Sequence, residues 1–366
     1  MSPIHPSQGS GEPPGGAPGG HRGVEYWVVP DDHAGQRIDN FLLARLRGVP
    51  KTRIYKMLRT GEVRVNGARA SSDYRLQAED RLRIPPVRMS VAIPPGLPAP
   101  GQGSPAPRLA RSIAASIGQV FDDEDMLAVN KPSGLAVHGG SGVRLGLIEA
   151  LRQSRELPQN PAPGHAAPFL ELVHRLDRET SGLILLARRR SALTELHRQL
   201  REGQMRKQYL ALVWGELAAA QTVIDAPLHK WVNAQGERWV RVQEGGQAAI
   251  TRVRRLGHIM HPSLGPVSFL LCEPVTGRTH QLRVHLTSIG CPIIGDPKYG
   301  DRDRDARWRS ELASTSASGS HPDGRMFLHA WRLRCHHPRQ GTLLSLEAAP
   351  DPAFLAGLNH FGMRLP

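Results

Sequence analysis

The sequence predicts an α+β protein built as a small domain, a linker and a larger domain, and three observations carry that reading. Residues 36–86 hold two stretches of helical apolar spacing and then a hairpin signal, all within a strongly basic segment. Residues 87–112 are rich in proline and lack periodicity, as a stiff, extended linker would. From about residue 113 onward, short strand patterns alternate with helices without long repeats, in a stretch long enough to build a sizeable core.

The elements follow in order. Residues 1–23 are rich in Pro, Gly and Ser and have no apolar core, which predicts a disordered tail and argues against a secretory signal. Residues 26–29 read as a lead-in strand to a domain spanning 24–86. Ile38, Phe41, Leu42 and Leu46 mark a first helix, interrupted at Pro50; Ile54, Met57 and Leu58 mark a second, stopped by Gly61. Val63 and Val65 alternate with Arg64 as a strand, Asn66-Gly67 signals a tight turn, and Leu82 with Ile84 suggests the closing strand. Lys51, Arg53, Lys56 and Arg59 fall largely away from the apolar stripe of the second helix. Residues 36–86 hold twelve Lys or Arg against five Asp or Glu, a surplus of seven out of the formal +14 of the whole chain. Scattered charges usually do no more than solvate a face. Here they cluster on one helix and the hairpin after it, which is the footprint of RNA contact.

Composition sets wider bounds. A pI near 10.6 points to polyanions as partners, nucleic acid above all. No stretch approaches a membrane-spanning helix and no lipidation motif closes either end, so no membrane association is expected. Cys272, Cys291 and Cys335 are far apart and form no CxxC pair, so neither a disulfide framework nor a cysteine zinc site is expected, and a reducing cytoplasm suits the chain. The seventeen histidines include no HExxH pattern, and His336-His337 defines no site alone, so no metal is expected.

In the large domain, residues 113–366, the segment 125–130 reads as a strand entering the turn Lys131-Pro132-Ser133-Gly134. The glycines of 139–142 match neither the P-loop spacing nor GxGxxG, which leaves little for a nucleotide site. Residues 145–152 read as a helix and 158–168 as a loop. The polar run HRLDRETS, residues 174–181, lies between apolar runs of strand character at 170–173 and 183–187 and therefore reads as a loop on a rigid scaffold, where catalytic groups tend to sit. Within it Asp177 is flanked by Arg175 and Arg178, cations that favour its ionised form where they face it. A permanently charged carboxylate suits a nucleophile better than a general acid.

Leu193, Leu196, His197 and Leu200 define an amphipathic helix with His197 as a packed residue. Residues 207–213 alternate as a strand with Tyr209 and Val213 on one face, and further strands are expected at 238–243, 249–256 and 267–273. Residues 277–286 begin a helix whose buried ridge is Leu282, Leu286 and Ile289; Arg278 and Arg283 near its start fit either salt bridging or phosphate contact. Residues 291–300 are turn-rich, the charged and Ser-rich run 301–325 reads as a mobile insertion, and 327–333 with 343–346 close the domain as strands.

Several of these stretches together resemble a known family. Asn130-Lys131-Pro132-Ser133-Gly134, the nine residues HRLDRETSG from His174 to Gly182, Lys207 to Val213, and Gly277 to Leu286 with Gly295-Asp296 are similar to the motifs of the RluA-type pseudouridine synthases, which isomerise uridine in RNA. The segment 137–142 and the stretch from Gly236 to Val242 look closest to the RluC-like, large-ribosomal-subunit subtype. Gln36 to Asp39 with Leu42, the basic helix around 51–58, and Gly61 to Gly67 resemble the small RNA-binding module known as the S4 domain.

The resemblance implies a catalytic domain with a mixed, largely antiparallel sheet and flanking helices. It implies that Asp177 is the nucleophile, that Arg175 helps displace and hold the flipped base, and that Tyr209 stacks on the uracil and takes a proton from it. Arg283 matches the arginine that pairs with the catalytic carboxylate, with Arg278 as second choice. The implied substrate is 23S ribosomal RNA or a large-subunit precursor, acted on by a monomer without cofactor, since the isomerisation gains neither electrons nor atoms. Two competing readings carry less weight. A ribosome-binding factor with a dead synthase domain does not require intact Asp177, Tyr209 and Arg283. A hydrolase triad of His174, Asp177 and Ser181 lacks the GxSxG elbow, and triads assemble from separated segments.

Overall fold

The computed structural model describes residues 23–30, 33–46, 49–87, 105–139, 145–155, 169–315 and 324–366. The tail, most of the linker and the 158–168 loop expected from the sequence lie outside these. Two compact units divide at Gln102 and Gly103.

The first unit runs β1 (Glu25–Val28), α1 (Ile38–Arg45), α2 (Lys51–Thr60), β2 (Arg64–Val65), β3 (Ala68–Arg69) and β4 (Arg81–Ile84). Its antiparallel sheet has the order β1-β4-β2-β3. Ile38, Phe41, Leu42, Leu46, Ile54 and Met57 are buried, so both apolar stripes face one core. Asn66 ties the hairpin turn to the closing strand: its Nδ2 donates to Asp80 Oδ1 at 2.7 Å and its Oδ1 accepts from Arg81 N at 2.8 Å.

The second unit continues with α3 (Pro105–Ala115), β5 (Gly118–Asp122), β6 (Met126–Lys131), α4 (Leu147–Arg155), β7 (Glu171–Leu172), β8 (Ser181–Ala187), α5 (Arg190–Arg201), β9 (Arg206–Trp214), β10 (Gln221–Asp225), β11 (Leu228–Val232) and β12 (Arg238–Val242). It ends with β13 (Ile250–His261), β14 (Gly265–Pro274), α6 (Gln281–Ser288), α7 (Arg302–Thr315), β15 (Leu328–His336), β16 (Leu343–Glu347) and α8 (Pro352–His360). The main sheet has ten strands in the order β10-β13-β14-β9-β15-β8-β6-β5, with β16 beside β15 and β7 beside β8. Every pairing is antiparallel except β15 with β8. The mixed, largely antiparallel sheet is thus as expected. β8 is buried along its whole length because it runs through the middle of the sheet.

Two sequence expectations are corrected here. Residues 105–112 are helical, not extended, and α3 packs on α4 with Ala110 buried. Pro105 and Pro107 fall in the first turn of α3, where the missing N–H groups have no intrahelical partner to lose. Within the 301–325 run, α7 is docked rather than mobile. Asp301 Oδ1 accepts from Arg304 N at 3.0 Å and so caps the helix, and Trp308 and Leu312, one turn apart, are buried against the core. Trp308 meets Trp214, Phe327 and Phe361 with ring centroids 5.4–6.1 Å apart. Asp305 of the same helix accepts from Trp214 Nε1 at 2.8 Å and Gly295 N at 3.1 Å.

Candidate active site

The loop between β7 and β8 holds Asp177, and the turn after β6 grips that loop from beneath. Lys131 is fully buried and its ammonium donates to three carbonyls, those of Pro132 (2.9 Å), Leu135 (2.8 Å) and Arg178 (3.0 Å). Burial lowers its pKa to about 7, against the opposing charges of Glu179 and Asp177. Ser133 Oγ donates to Glu179 O at 2.6 Å, and Arg178 Nε donates back to Gly134 O at 3.0 Å. The loop therefore has a fixed backbone without secondary structure of its own.

Gly182 closes the motif for a steric reason. Its φ is +108°, and a Cβ there would stand 2.2 Å from Ala330 O, where the parallel strand β15 passes. Ser181 and Arg325 are likewise spent on structure. Arg325 Nη2 donates to Ser181 Oγ at 2.9 Å, Ser181 Oγ lies 2.9 Å from His329 Nδ1, and His329 Nε2 lies 2.9 Å from Ala348 O. Buried Ser181 cannot be a nucleophile on Asp177's side of the loop, which disposes of the hydrolase triad. His174 accepts from Leu185 N through Nε2 at 3.2 Å, and burial holds its pKa down to about 3, so it is a neutral strut.

The cation that faces Asp177 comes from α6, not from the flanking arginines. Arg283 Nη1 donates to Asp177 Oδ2 at 2.9 Å. Its other two edges form a bidentate pair with Asp296, Nε to Oδ2 and Nη2 to Oδ1, both 2.7 Å. Arg283 is 3% exposed and Asp296 1%. Asp296 Oδ1 also accepts from the backbone N of Lys298 (2.9 Å) and Tyr299 (3.1 Å). Burial opposes the guanidinium charge, and Asp296 followed by Asp177 overcomes it.

Gly295 makes this possible. Its φ is +73°, and a Cβ would sit 1.9 Å from Arg325 O. Arg178 is engaged with Gly134, and Arg175 is exposed on the cleft wall, so the two flanking arginines do not serve as the partner. Arg278, the second choice, donates to Ala248 O at 3.0 Å instead.

α6 begins later than the sequence suggested, at Gln281. The residues before it are folded into a loop by the Gln281 side chain, which accepts from Thr276 Oγ1 and Arg278 N and donates to Ile250 O. His280 sits at the helix entrance with φ +53°, a conformation that L side chains seldom adopt. It extends the network. Val240 N donates to Tyr299 Oη at 3.0 Å, and Tyr299 Oη lies 2.8 Å from His280 Nδ1. With the phenol proton given to Nδ1, Nε2–H faces Asp177 Oδ1 at 3.9 Å.

A cleft of about 600 Å³ opens over Asp177, and Tyr209, Lys207, Arg175, Arg278 and Arg283 line it. Tyr209, from β9, is buried, and burial together with the charge of Asp177 raises its pKa, so the phenol keeps its proton. Asp177, Tyr209, Arg283, Arg175 and Arg278 thus share one cleft. Lys131, Asp296, Tyr299 and His280 were given no role by the sequence reading. One signal was available: Asp296 is the sole carboxylate between Gly277 and Gly300, in a stretch holding two arginines.

On the first unit, Lys51, Lys56 and Arg59 are exposed on α2. Arg53 is engaged with Glu62 through two bonds of 2.9 and 2.6 Å, which gives it a helix-bracing role. His337 is also employed in structure. Its Nδ1 accepts from the backbone N of Arg339 and Gln340, so Nε2 carries the proton and donates to Asp123 Oδ2 at 2.7 Å. The buried cysteines are all free thiols. Among the described residues no helix is long and apolar enough to cross a membrane.

Residues 125–288 match the family model "RNA pseudouridylate synthase", and residues 36–82 match "S4 domain". The chain is 45% identical over 333 residues to the ribosomal large subunit pseudouridine synthase C of Pasteurella multocida, covering 91% of this chain and 92% of the relative. It is 44% identical over 328 residues to the protein of the same name from Escherichia coli K12, covering 90% and 93%. The solved structure of human RNA pseudouridylate synthase domain containing 4 superposes with a TM-score of 0.54 at 26% identity, covering 72% of this chain and 98% of that one. With an S4 module ahead of a catalytic domain whose motifs converge on one carboxylate, the chain belongs to the RNA pseudouridylate synthase family.

Proposed function

We propose that this protein converts specific uridines of 23S ribosomal RNA, or of a large-subunit precursor, to pseudouridine, with Asp177 as the nucleophile. One observation carries the catalytic part: Asp177 stands in the cleft with a buried guanidinium 2.9 Å away that is itself locked to a second carboxylate. Its relatives' names and the basic S4 module support the choice of RNA.

The reaction breaks the N1–C1′ bond, turns the uracil and forms a C5–C1′ bond; a proton leaves C5 and N1 regains one, so electrons and atoms balance without a cofactor. Asp177 opens it by attack at C1′, by addition to C6, or by removal of a sugar proton. Each route calls for a charged carboxylate in the cleft, and Arg283 supplies its counter-charge at 2.9 Å.

Tyr209 offers a flat face to the uracil, and Arg175, exposed on the cleft wall, is placed to fill the gap left when the base swings out. Burial and the charge of Asp177 keep Tyr209 protonated at rest. Covalent capture of Asp177 would consume that charge and remove the smaller of the two causes, so the phenol ionises more readily at the stage when C5 must lose its proton, which only the phenolate can take. Asp177, Arg283, Asp296 and Tyr209 all come from one chain, so a monomer would hold the whole set, and the relatives' names as ribosomal large subunit enzymes support a place in the cytoplasm.

The test is tritium release from 5-tritiated uridine in protein-free 23S RNA by wild type and Asp177→Asn. Release by wild type alone supports the assignment. Equal release by both rejects Asp177 as nucleophile, and silence of wild type on 23S RNA and its precursors rejects the substrate.

A further inference from the structure

β11 and β12 form a two-stranded ribbon outside the main sheet, and its composition is unusual for a solvent-facing hairpin. Register places Trp231 opposite Trp239 and His229 opposite Arg241, so strand alternation sets these four on one face. The two indoles lie 6.4 Å apart at 32°, with Trp231 38% exposed. Arg241 stands over Trp231 at 5.9 Å and Lys298 over Trp239 at 4.9 Å. Between Leu228 and Val242 there are three Lys or Arg against one Glu.

The opposite face anchors the ribbon: Leu228 and Val240 are buried with Val284 of α6. The tip is rigid, because Asn233 Oδ1 accepts from the backbone N of both Gln235 and Glu237. The root adjoins the catalytic network. Trp239 meets Tyr299 edge-on at 5.5 Å, Val240 N donates to Tyr299 Oη, and Lys298 Nζ donates to Arg238 O at 2.9 Å.

We propose that this ribbon is a second RNA-binding element, in which Trp231 stacks on an unpaired base close to the target uridine while Arg241, on the same face, holds a neighbouring phosphate. The choice of occupant follows from the face itself. An exposed indole bracketed by cations fits a ligand that is flat and polyanionic at once, and a single-stranded nucleic acid has both properties. Its continuity with Tyr299, and through it with His280 and Asp177, places that contact beside the reacting nucleotide and not on the first unit's basic helix. The inference rests on the RNA substrate proposed above.

The experiment compares full-length wild type, Trp231→Ala, Trp231→Phe and Arg241→Gln on 23S RNA, reading RNA affinity, KM, kcat and sedimentation. Trp231→Ala should weaken affinity and raise KM by about 5- to 150-fold, the range for losing one base–aromatic stack. Saturating kcat should be unchanged, and Trp231→Phe should restore most of the loss. Arg241→Gln should reduce the slope of log affinity against log salt by about one. Unchanged affinity and KM in a Trp231→Ala protein with a wild-type melting curve overturn the proposal. So does a change confined to sedimentation, which would assign the face to contact between copies. Failure of the RNA assignment itself would show differently, as absence of turnover by wild type.

Discussion

The buried pair between Arg283 and Asp296 is predicted to hold Asp177's partner in place, and Asp296→Asn tests this with almost no change of shape. In the native site Asp296 takes two guanidinium bonds of 2.7 Å and two backbone bonds of 2.9 and 3.1 Å. The Asn amide oxygen can keep the position of Oδ1 and its three donors. Its NH2 group then faces Arg283 Nε–H where Oδ2 stood, two donors across 2.7 Å. Losing the charge leaves a 3%-exposed guanidinium with only Asp177 to neutralise it. Breaking a buried pair in this way costs about 3–5 kcal/mol. At about 2–4 °C per kcal/mol for a unit of this size, the melting temperature should fall by about 6–20 °C. Arg283 Nη1 should shift off Asp177, and a displacement of about 1 Å can cost about a hundredfold in rate. Scanning calorimetry and tritium release read the two effects separately. A variant melting within about 1 °C of wild type, with unchanged kcat, refutes the argument.

Three further outcomes follow from the same geometry. Gly182→Ala should yield little folded protein, since its Cβ would stand 2.2 Å from Ala330 O in a left-handed backbone, and soluble expression of a normally melting variant would count against the β8–β15 contact. His174 and His329 have pKa values held by burial at about 3 and about 4, so below their ordinary 6.5 the unfolded chain binds protons that the folded chain refuses. Stability should therefore fall as pH drops from about 6.5 towards 4, by roughly 1.4 kcal/mol per pH unit for each histidine, and urea melts of wild type and His329→Gln should show the variant's slope to be shallower. On the first unit, replacing Lys51, Lys56 and Arg59 together by Gln should reduce the salt slope of RNA binding by about 2 to 3, whereas Arg53→Gln, already paired with Glu62, should leave the slope unchanged.

The catalytic motifs could be read along the chain because their chemistry is concentrated in consecutive residues. The loop around Asp177 and the strand carrying Tyr209 announce themselves by polarity set between apolar runs. Partnership was legible through the family resemblance, which pointed to Arg283, and not through spacing. The neighbours Arg175 and Arg178 looked like natural counter-ions, yet successive loop residues point apart, and the guanidinium that arrives is 106 residues away. Asp296, Tyr299 and His280 acquire meaning only when α6 and the turn after it are folded together.

Helix α3 was hidden by prolines whose position in the first turn makes them harmless. Helix α7 was hidden because, among its described side chains, only Trp308 and Leu312 are buried apolar groups, while Asp305 makes polar contacts inward. A charge-rich run can dock through two side chains, which a periodicity argument over the whole run does not detect.

Among the described strands of the sheet one pairing is parallel, Ser181 and Gly182 against His329 and Ala330, and it sets a schedule for synthesis. The Asp177 loop is made well before the strand on which it finally rests, some 148 residues later. At about 5–20 residues per second that gap is roughly 7–30 s of elongation. Until Arg283 and then β15 have emerged, Asp177 has neither its counter-ion nor its floor. A growing chain therefore carries an uncommitted carboxylate, and competence waits for a segment made long after it.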